Sequence, residues 1–169
     1  MKEKTFIALT NGFKDKLYRL AKRLLVSNEE AEDATQEVLL KLWKNKKQME
    51  KYKNVEAFAV TMTKNYCYDK LKAKSSDNLK IVHSNYKDES ASLHRQVEAR
   101  DSLDWVGKIM DSLPEQQRLI VQLRDIEQYN NAEIAEMLDM KETAVRVALS
   151  RGRKTIQQRL VNTHNYGVI

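Results

Sequence analysis

Residues 132–153 read AEIAEMLDMKETAVRVALSRGR. Ile134, Ala135 and Leu138 repeat at the spacing of one helix face, Met140 falls in a turn, and Val145 and Leu149 resume the pattern. That is the spacing of a helix-turn-helix. It asks for a small residue at Ala135, where the two helices cross closely. From Val145 the apolar stripe runs on through Leu149, Gly152, Ile156 and Leu160, so the opposite face of the second helix carries Glu142, Thr143, Arg146, Ser150, Arg153 and Lys154. With Lys141 and Arg151 beside them, these residues suit duplex DNA: base edges near the helix N-terminus, phosphates further along. An ordinary helical hairpin with a solvated basic face would show the same apolar pattern. Charge favours DNA, because residues 141–169 hold 6 basic side chains and 1 acidic, whereas residues 99–140 hold 4 and 9.

Working towards the N-terminus, Asn130 and Glu133 form a capping-box pattern, with Tyr129 and Ile134 where a hydrophobic staple closes. Residues 115–127 read as a helix around Leu119, Leu123 and Ile126, opened by Pro114 and a second capping box, Ser112 to Glu115. Leu103, Val106, Met110 and Leu113 mark the helix before it. Residues 75–97 are rich in Ser, Asp, Asn and Lys with few apolar anchors, the composition of a linker. Upstream, Phe6, Phe13, Leu17, Leu20 and Leu24 predict one amphipathic helix over residues 5–26. Ser27 and Glu30 form a third capping box, opening a helix through Ala31, Ala34, Val38 and Leu42 to about Asn45. After a polar, lysine-rich stretch, Phe58, Met62 and Tyr66 give the stripe of a helix over residues 55–73.

The whole is all-α: two small helical domains, residues 1–74 and 98–169, joined by a flexible linker at 75–97. Composition agrees, since 4 Gly and 1 Pro among 169 residues cannot supply the turns of a sandwich, a barrel or a Gly-rich phosphate loop. A single cysteine, Cys67, excludes an internal disulfide and reads as a half-buried free thiol in a reducing compartment. No Cys or His pair has zinc-ligand spacing, and no metal or cofactor is expected. No apolar run approaches the ~18 residues of a membrane span, and no signal peptide is evident, so the expected location is the cytoplasm. The net charge of +6 permits nucleic acid without demanding it.

Two constellations in the first domain carry further information. Asp33, Gln36 and Glu37 occupy neighbouring positions of one helix surface, leaving Ala34, Val38 and Leu42 to the core. Paired carboxylates can mean acid–base chemistry, and Glu32, Asp33 and Glu37 could be imagined as a metal site. No His, Ser or Gly-rich loop accompanies them, however, so a polar docking surface with Leu40 and Trp43 beside it fits better than a catalytic site. Downstream, Lys51-Tyr52-Lys53-Asn54 and Lys64-Asn65-Tyr66-Cys67-Tyr68-Asp69-Lys70-Leu71-Lys72 interleave rings with cations. Rings stack on unpaired bases while lysines hold the backbone, a combination that suits single-stranded nucleic acid. Tyrosines in the core with solvating lysines would give the same letters.

In this order the features resemble one family, the bacterial sigma-70-type sigma factors, and within it the small extracytoplasmic-function group. Ala31 through Trp43 resembles region 2.2, which docks on the clamp-helix coiled coil of the largest RNA polymerase subunit. The resemblance thus implies polymerase contacts at Asp33, Gln36, Glu37, Leu40 and Trp43. Phe58 to Lys72, where Asn65 and Asp69 match an N-x-x-x-D pattern, resembles regions 2.3 and 2.4, which melt and read the minus-10 element. The implied minus-10 contacts are Lys51, Tyr52, Lys53, Asn54, Lys64, Asn65, Lys70 and Lys72. Leu113-Pro114-Glu115 through Leu160 resembles region 4, whose helix-turn-helix reads the minus-35 element through Lys141, Glu142, Thr143, Arg146, Ser150, Arg151, Arg153 and Lys154.

The sequence departs from that pattern in places. Phe58 stands where a Trp is usual, Lys70 and Lys72 where Arg is common, Asp139 for the turn Gly, and Lys141 for a Ser-type cap. Asp tolerates the left-handed conformation better than most residues. The resemblance implies a non-enzymatic initiation factor that binds core RNA polymerase and promoter DNA, with an anti-sigma factor as a further partner. The competing reading is an autonomous helix-turn-helix regulator that dimerises through residues 1–74 and needs no polymerase. A linker of about 20 residues can extend ~65 Å, comparable to ~20 base pairs at ~3.4 Å each, enough for two domains to touch sites two turns apart.

Overall fold

The computed structural model describes residues 1–81 and 102–166, and every regular element among them is helical. Helices α1 (Glu3–Asn11), α2 (Lys14–Leu25), α3 (Asn28–Lys44), the short α4 (Lys46–Met49) and α5 (Val55–Ile81) build the first domain. Helices α6 (Ser102–Asp111), α7 (Glu115–Val121), α8 (Asn131–Leu138) and α9 (Glu142–Tyr166) build the second. Among the described residues no helix is long and apolar enough to cross a membrane.

The single helix expected over residues 5–26 is two. The Thr10 hydroxyl bonds the carbonyls of Phe6 and Ile7, the Gly12 N–H turns back to Leu9, and Phe13 packs into the core at the corner. At the far end of α2, Val26 holds a left-handed conformation, φ 55° and ψ 31°, while 61% exposed. A β-branched side chain is strained there. Val26→Gly is therefore expected to raise the unfolding free energy by about 0.5–1 kcal/mol, the relieved strain less the extra chain entropy of glycine. Urea denaturation checks this, and a lower midpoint would contradict it.

Local signals at the helix ends hold in part. Asn130 and Glu133 form a full capping box, each accepting the other's N–H at 2.8 Å. Ser27 accepts the Glu30 N–H at 3.3 Å, but the Glu30 carboxylate turns to Lys74 of α5 instead of completing the box. At Pro114 no side chain caps α7, because the Ser112 hydroxyl donates to the Ile109 carbonyl at 2.6 Å. Helix α5 continues past Ser75 and Ser76 to Ile81, beyond the expected end at Ala73, and the stretch read as linker over 82–97 lies outside the described residues.

The helix expected over 115–127 changes register halfway. Gln122–Ile126 forms a π-helical turn, in which the Glu127 N–H reaches the Gln122 carbonyl at 3.0 Å. Such turns re-aim side chains. Here the turn accompanies the burial of Gln122 and Glu127.

In the second domain α9 passes close to α7 at Gly152, and Ala135 of the helix-turn-helix is half-buried. A Cβ on Gly152 would sit 2.8 Å from Val121 Cγ2 and 3.5 Å from Gln117 Cβ. Val121 is buried, and a helical valine has one favoured rotamer. Gly152→Ala is thus expected to destabilise by about 1 kcal/mol, overpacking of ~1–3 kcal/mol against a propensity gain of ~1. A thermal midpoint equal to or above that of the parent would contradict this.

The two domains pack on each other, a contact of which the sequence carries no sign. Leu17, Leu20, Leu24 and Val60 share one buried cluster with Leu113, Ile120 and Leu123. Around it, Arg19 donates through both Nε and Nη2 to the Glu127 carboxylate, each at 2.8 Å. Arg23 reaches the Gly107 carbonyl at 3.1 Å, Asp111 at 3.0 Å and Gln122 at 3.2 Å, and Gln122 in turn donates to Glu127 at 3.2 Å.

Candidate nucleic-acid interface

Helix α5 begins where Asn54 Oδ1 accepts the Ala57 N–H at 3.0 Å. Asn54, a candidate DNA contact, is therefore also a helix cap, and an Asn directly before an apolar helix is a signal available in the sequence. Just upstream, the Tyr52 ring stacks on Phe58 with centroids 4.5 Å apart and planes at 21°. Tyr52 remains 38% exposed, flanked by exposed Lys51 and Lys53. At helical spacing Phe58, Thr61, Asn65 and Lys72 follow along one stripe of α5, with half-buried Lys64 on its flank. Lys70 does not join them: its Nζ lies 5.7 Å from the Tyr66 ring, which Lys41 of α3 approaches at 5.6 Å. Tyr66 thus packs among lysines, and the Tyr68 hydroxyl is pushed up to about 12 by burial. Cys67 is fully buried, which pushes its thiol up to about 12 and leaves it inert at neutral pH.

A cleft of about 270 Å³ opens between the start of α5 and helix α8. Tyr52, Lys53 and Phe58 line one wall; Glu133, Glu136 and Met137 line the other. The Thr61 hydroxyl closes one end, shared between the Ala57 carbonyl at 3.0 Å and the Met137 carbonyl at 3.3 Å. Nearby, the Glu56 carboxylate accepts from Lys16 at 2.7 Å and from the Tyr129 hydroxyl. Burial works to raise the pKa of Glu56, but the two hydrogen bonds and the lysine's charge outweigh it and hold the group below the usual carboxylate range. Burial and the same carboxylate push the Tyr129 hydroxyl well upward.

On α3, Asp33, Gln36 and Leu40 are exposed and Glu37 half-exposed along one face, with Leu40 45% accessible among polar neighbours. Trp43 is half-buried, edge-on to Phe6 at 5.0 Å with Lys46 Nζ 3.5 Å over its ring, so it props this face as much as it contributes to it. Among the described residues no group of three or more His, Cys, Asp or Glu converges as metal ligands do.

The helix-turn-helix is closed by Asp139 in the left-handed conformation, φ 51° and ψ 52°, where the Met140 N–H returns to the Ala135 carbonyl at 2.9 Å. The Lys141 carbonyl accepts the Val145 N–H at 3.1 Å and starts α9. Lys141, Glu142, Thr143, Arg146, Ser150, Arg151, Arg153 and Lys154 are all exposed. Arg146 pairs with Glu142 at 2.8 Å, and Arg153 grips Asp125 of the π-turn through Nε and Nη2. Exposed pairs of this kind are worth ~0–1 kcal/mol and exchange easily for phosphate. Arg146, Ser150, Arg153 and Lys154 line one concavity of about 430 Å³ together with Asn131 of α8. Val147, 48% exposed, lies on the outer surface of α9.

Residues 9–76 match the model of Sigma-70 region 2, and residues 103–156 that of Sigma-70, region 4. The extracytoplasmic-function RNA polymerase sigma factor SigW of Bacillus subtilis (strain 168) is 23% identical, over 92% of this chain and 88% of that protein. Among solved structures, the sigma factor RpoE from Bartonella quintana, crystallised with the anti-sigma factor NepR, superposes with a TM-score of 0.76 at 19% identity, covering 93% of this chain and 97% of its own. CnrH, solved in complex with the cytosolic domain of CnrY, gives a TM-score of 0.68 at 16% identity, over 95% of this chain and 90% of that one. Both sigma regions follow one another on a single all-helical chain, which does not favour a regulator acting without polymerase. The chain belongs to the sigma-70 family of RNA polymerase sigma factors, in its extracytoplasmic-function group.

Proposed function

We infer that this sigma factor, which binds core RNA polymerase and directs it to promoters, divides initiation among three faces. The α3 face of Asp33, Gln36, Glu37 and Leu40 docks on polymerase, α9 holds the minus-35 duplex, and the Tyr52–Phe58 stack with the adjoining α5 stripe captures the melted minus-10 strand. The observation that carries this reading is the stack itself: an exposed ring, held rigid by a second ring, between two lysines. Unpairing and unstacking a base costs a few kcal/mol, and binding the extruded base offsets that. Sigma factors are as a class non-enzymatic regulators. We place this chain with them: it makes and breaks no bond and works in the cytoplasm. An anti-sigma factor is a further partner in this reading, since both structural neighbours were solved bound to one or to a partner's cytosolic domain.

The upstream assignment is tested by two substitutions with different signatures. Arg146→Ala is expected to cost about 1–3 kcal/mol on the specific site and relax preference at one base position, whereas Lys154→Ala weakens specific and random duplex alike. Equal losses for Arg146→Ala on both duplexes would reduce Arg146 to a phosphate contact.

A further inference from the structure

We propose, on the reading that α9 holds the upstream duplex, that Asp125 and Glu142 are specificity-determining residues of that face: each carboxylate neutralises one arginine of α9 and so keeps it from gripping phosphate on DNA of any sequence.

The pairing is selective. Glu142 is the one acidic residue among 141–169, and it accepts from Arg146 Nη2 at 2.8 Å, one helical turn away. Asp125 comes from another element. The π-turn over Gln122–Ile126 brings its carboxylate to α9, where Oδ2 accepts from Arg153 Nε at 3.0 Å and Oδ1 from Arg153 Nη2. Lys141, Arg151 and Lys154 are exposed too, yet have no such partner among the described residues. Both paired arginines line the concavity shared with Ser150, Lys154 and Asn131, so each carboxylate lies within hydrogen-bonding distance of a side chain that DNA would meet there.

Breaking such an exposed pair costs little. The larger cost is the carboxylate left behind. Once a phosphate takes the guanidinium, Asp125 or Glu142 stays beside it, well inside the ~8–10 Å over which physiological salt leaves like charges unscreened. The Asp125 fork also sets direction. A guanidinium is planar, and with its Nε–Nη2 edge on Asp125 the Arg153 side chain has its Nη1 side left to offer. In a register fixed by base contacts that side meets a phosphate while Asp125 still holds the other edge. On random DNA no register favours it, and the repulsion is uncompensated.

The test uses holoenzyme reconstituted from core polymerase and the full-length chain, with core alone as background. Two labelled duplexes are compared by anisotropy across a salt series: one selected by the parent holoenzyme from a random pool for its upstream element, the other with that element scrambled. Asp125→Asn and Glu142→Gln remove a charge at nearly constant size. Each is expected to tighten the scrambled duplex about fivefold and to steepen the log–log salt dependence by about 0.9, as one further phosphate contact does. The selected duplex should tighten less than about twofold, so discrimination falls. Asp125→Glu keeps the charge and should keep the salt dependence of the parent. If Lys154→Ala weakens both duplexes while Asp125→Asn and Glu142→Gln leave discrimination and salt dependence unchanged, the proposal is overturned. Equal losses on both duplexes with an unchanged salt dependence would also overturn it, since the carboxylates would then only prop their arginines. Should Lys154→Ala change neither duplex, the reading of α9 as the duplex-holding helix has failed, and the proposal with it.

Discussion

Tyr52→Ala is expected to lower open-complex formation on a duplex promoter about tenfold or more while closed-complex binding stays nearly intact, because base–ring stacking is worth ~1–3 kcal/mol and is made only once a base has left the duplex. The Tyr52 ring has a fixed pose to offer, 4.5 Å from Phe58 and nearly parallel to it. A template already mismatched around minus 10 should partly rescue the variant, since the unpairing cost is then already met. Lys51→Ala or Lys53→Ala should instead mainly weaken salt-dependent affinity. A normal rate of opening on the duplex would make Tyr52 a packing residue that shields Phe58.

How much of this was legible in the sequence depends on the range of the interactions involved. The Asn130–Glu133 box and the left-handed Asp139 are decided within a few residues, and their letters announce them. Ser27 shows the limit: its half of the box formed, but Glu30 found Lys74 on another helix, a partner that no local pattern could indicate. The corner at Gly12–Phe13 interrupts a stripe that stays in phase on both sides, which is why periodicity alone reads one helix. The π-turn, and with it the burial of Glu127 and Gln122, follows from partners on α2 separated by 108 and 99 residues. At the candidate site the sequence supplied Tyr52, Lys51, Lys53 and Asn65, while the stack on Phe58 and the diversion of Lys70 to Tyr66 emerge only when α5 and its neighbours are assembled.

Charge reversal on α3 is expected to have the other large effect. Asp33→Lys combined with Glu37→Lys should reduce affinity for core polymerase about a hundredfold, because placing like charges opposite a complementary partner costs several kcal/mol. Both side chains lie on the accessible face beside exposed Leu40, whereas the core positions Ala34, Val38 and Leu42 are buried, so the helix itself should persist. Far-ultraviolet circular dichroism checks that the variant is folded, and titration of fluorescent chain with core enzyme reads the affinity. Unchanged affinity would remove α3 from the polymerase interface. Leu40→Ala is expected to weaken binding further in the same assay, as an apolar contact ringed by polar ones.

That this chain gives core RNA polymerase its choice of promoter is open to direct measurement. It is tested most directly by transcribing genomic DNA of the chain's own source with core enzyme, with and without the purified chain, and mapping RNA 5′ ends. Discrete ends are expected that appear only with the chain and that share two upstream sequence elements about two helical turns apart. Identical ends with and without the chain, alongside tight duplex binding by the chain alone as a dimer, would contradict it.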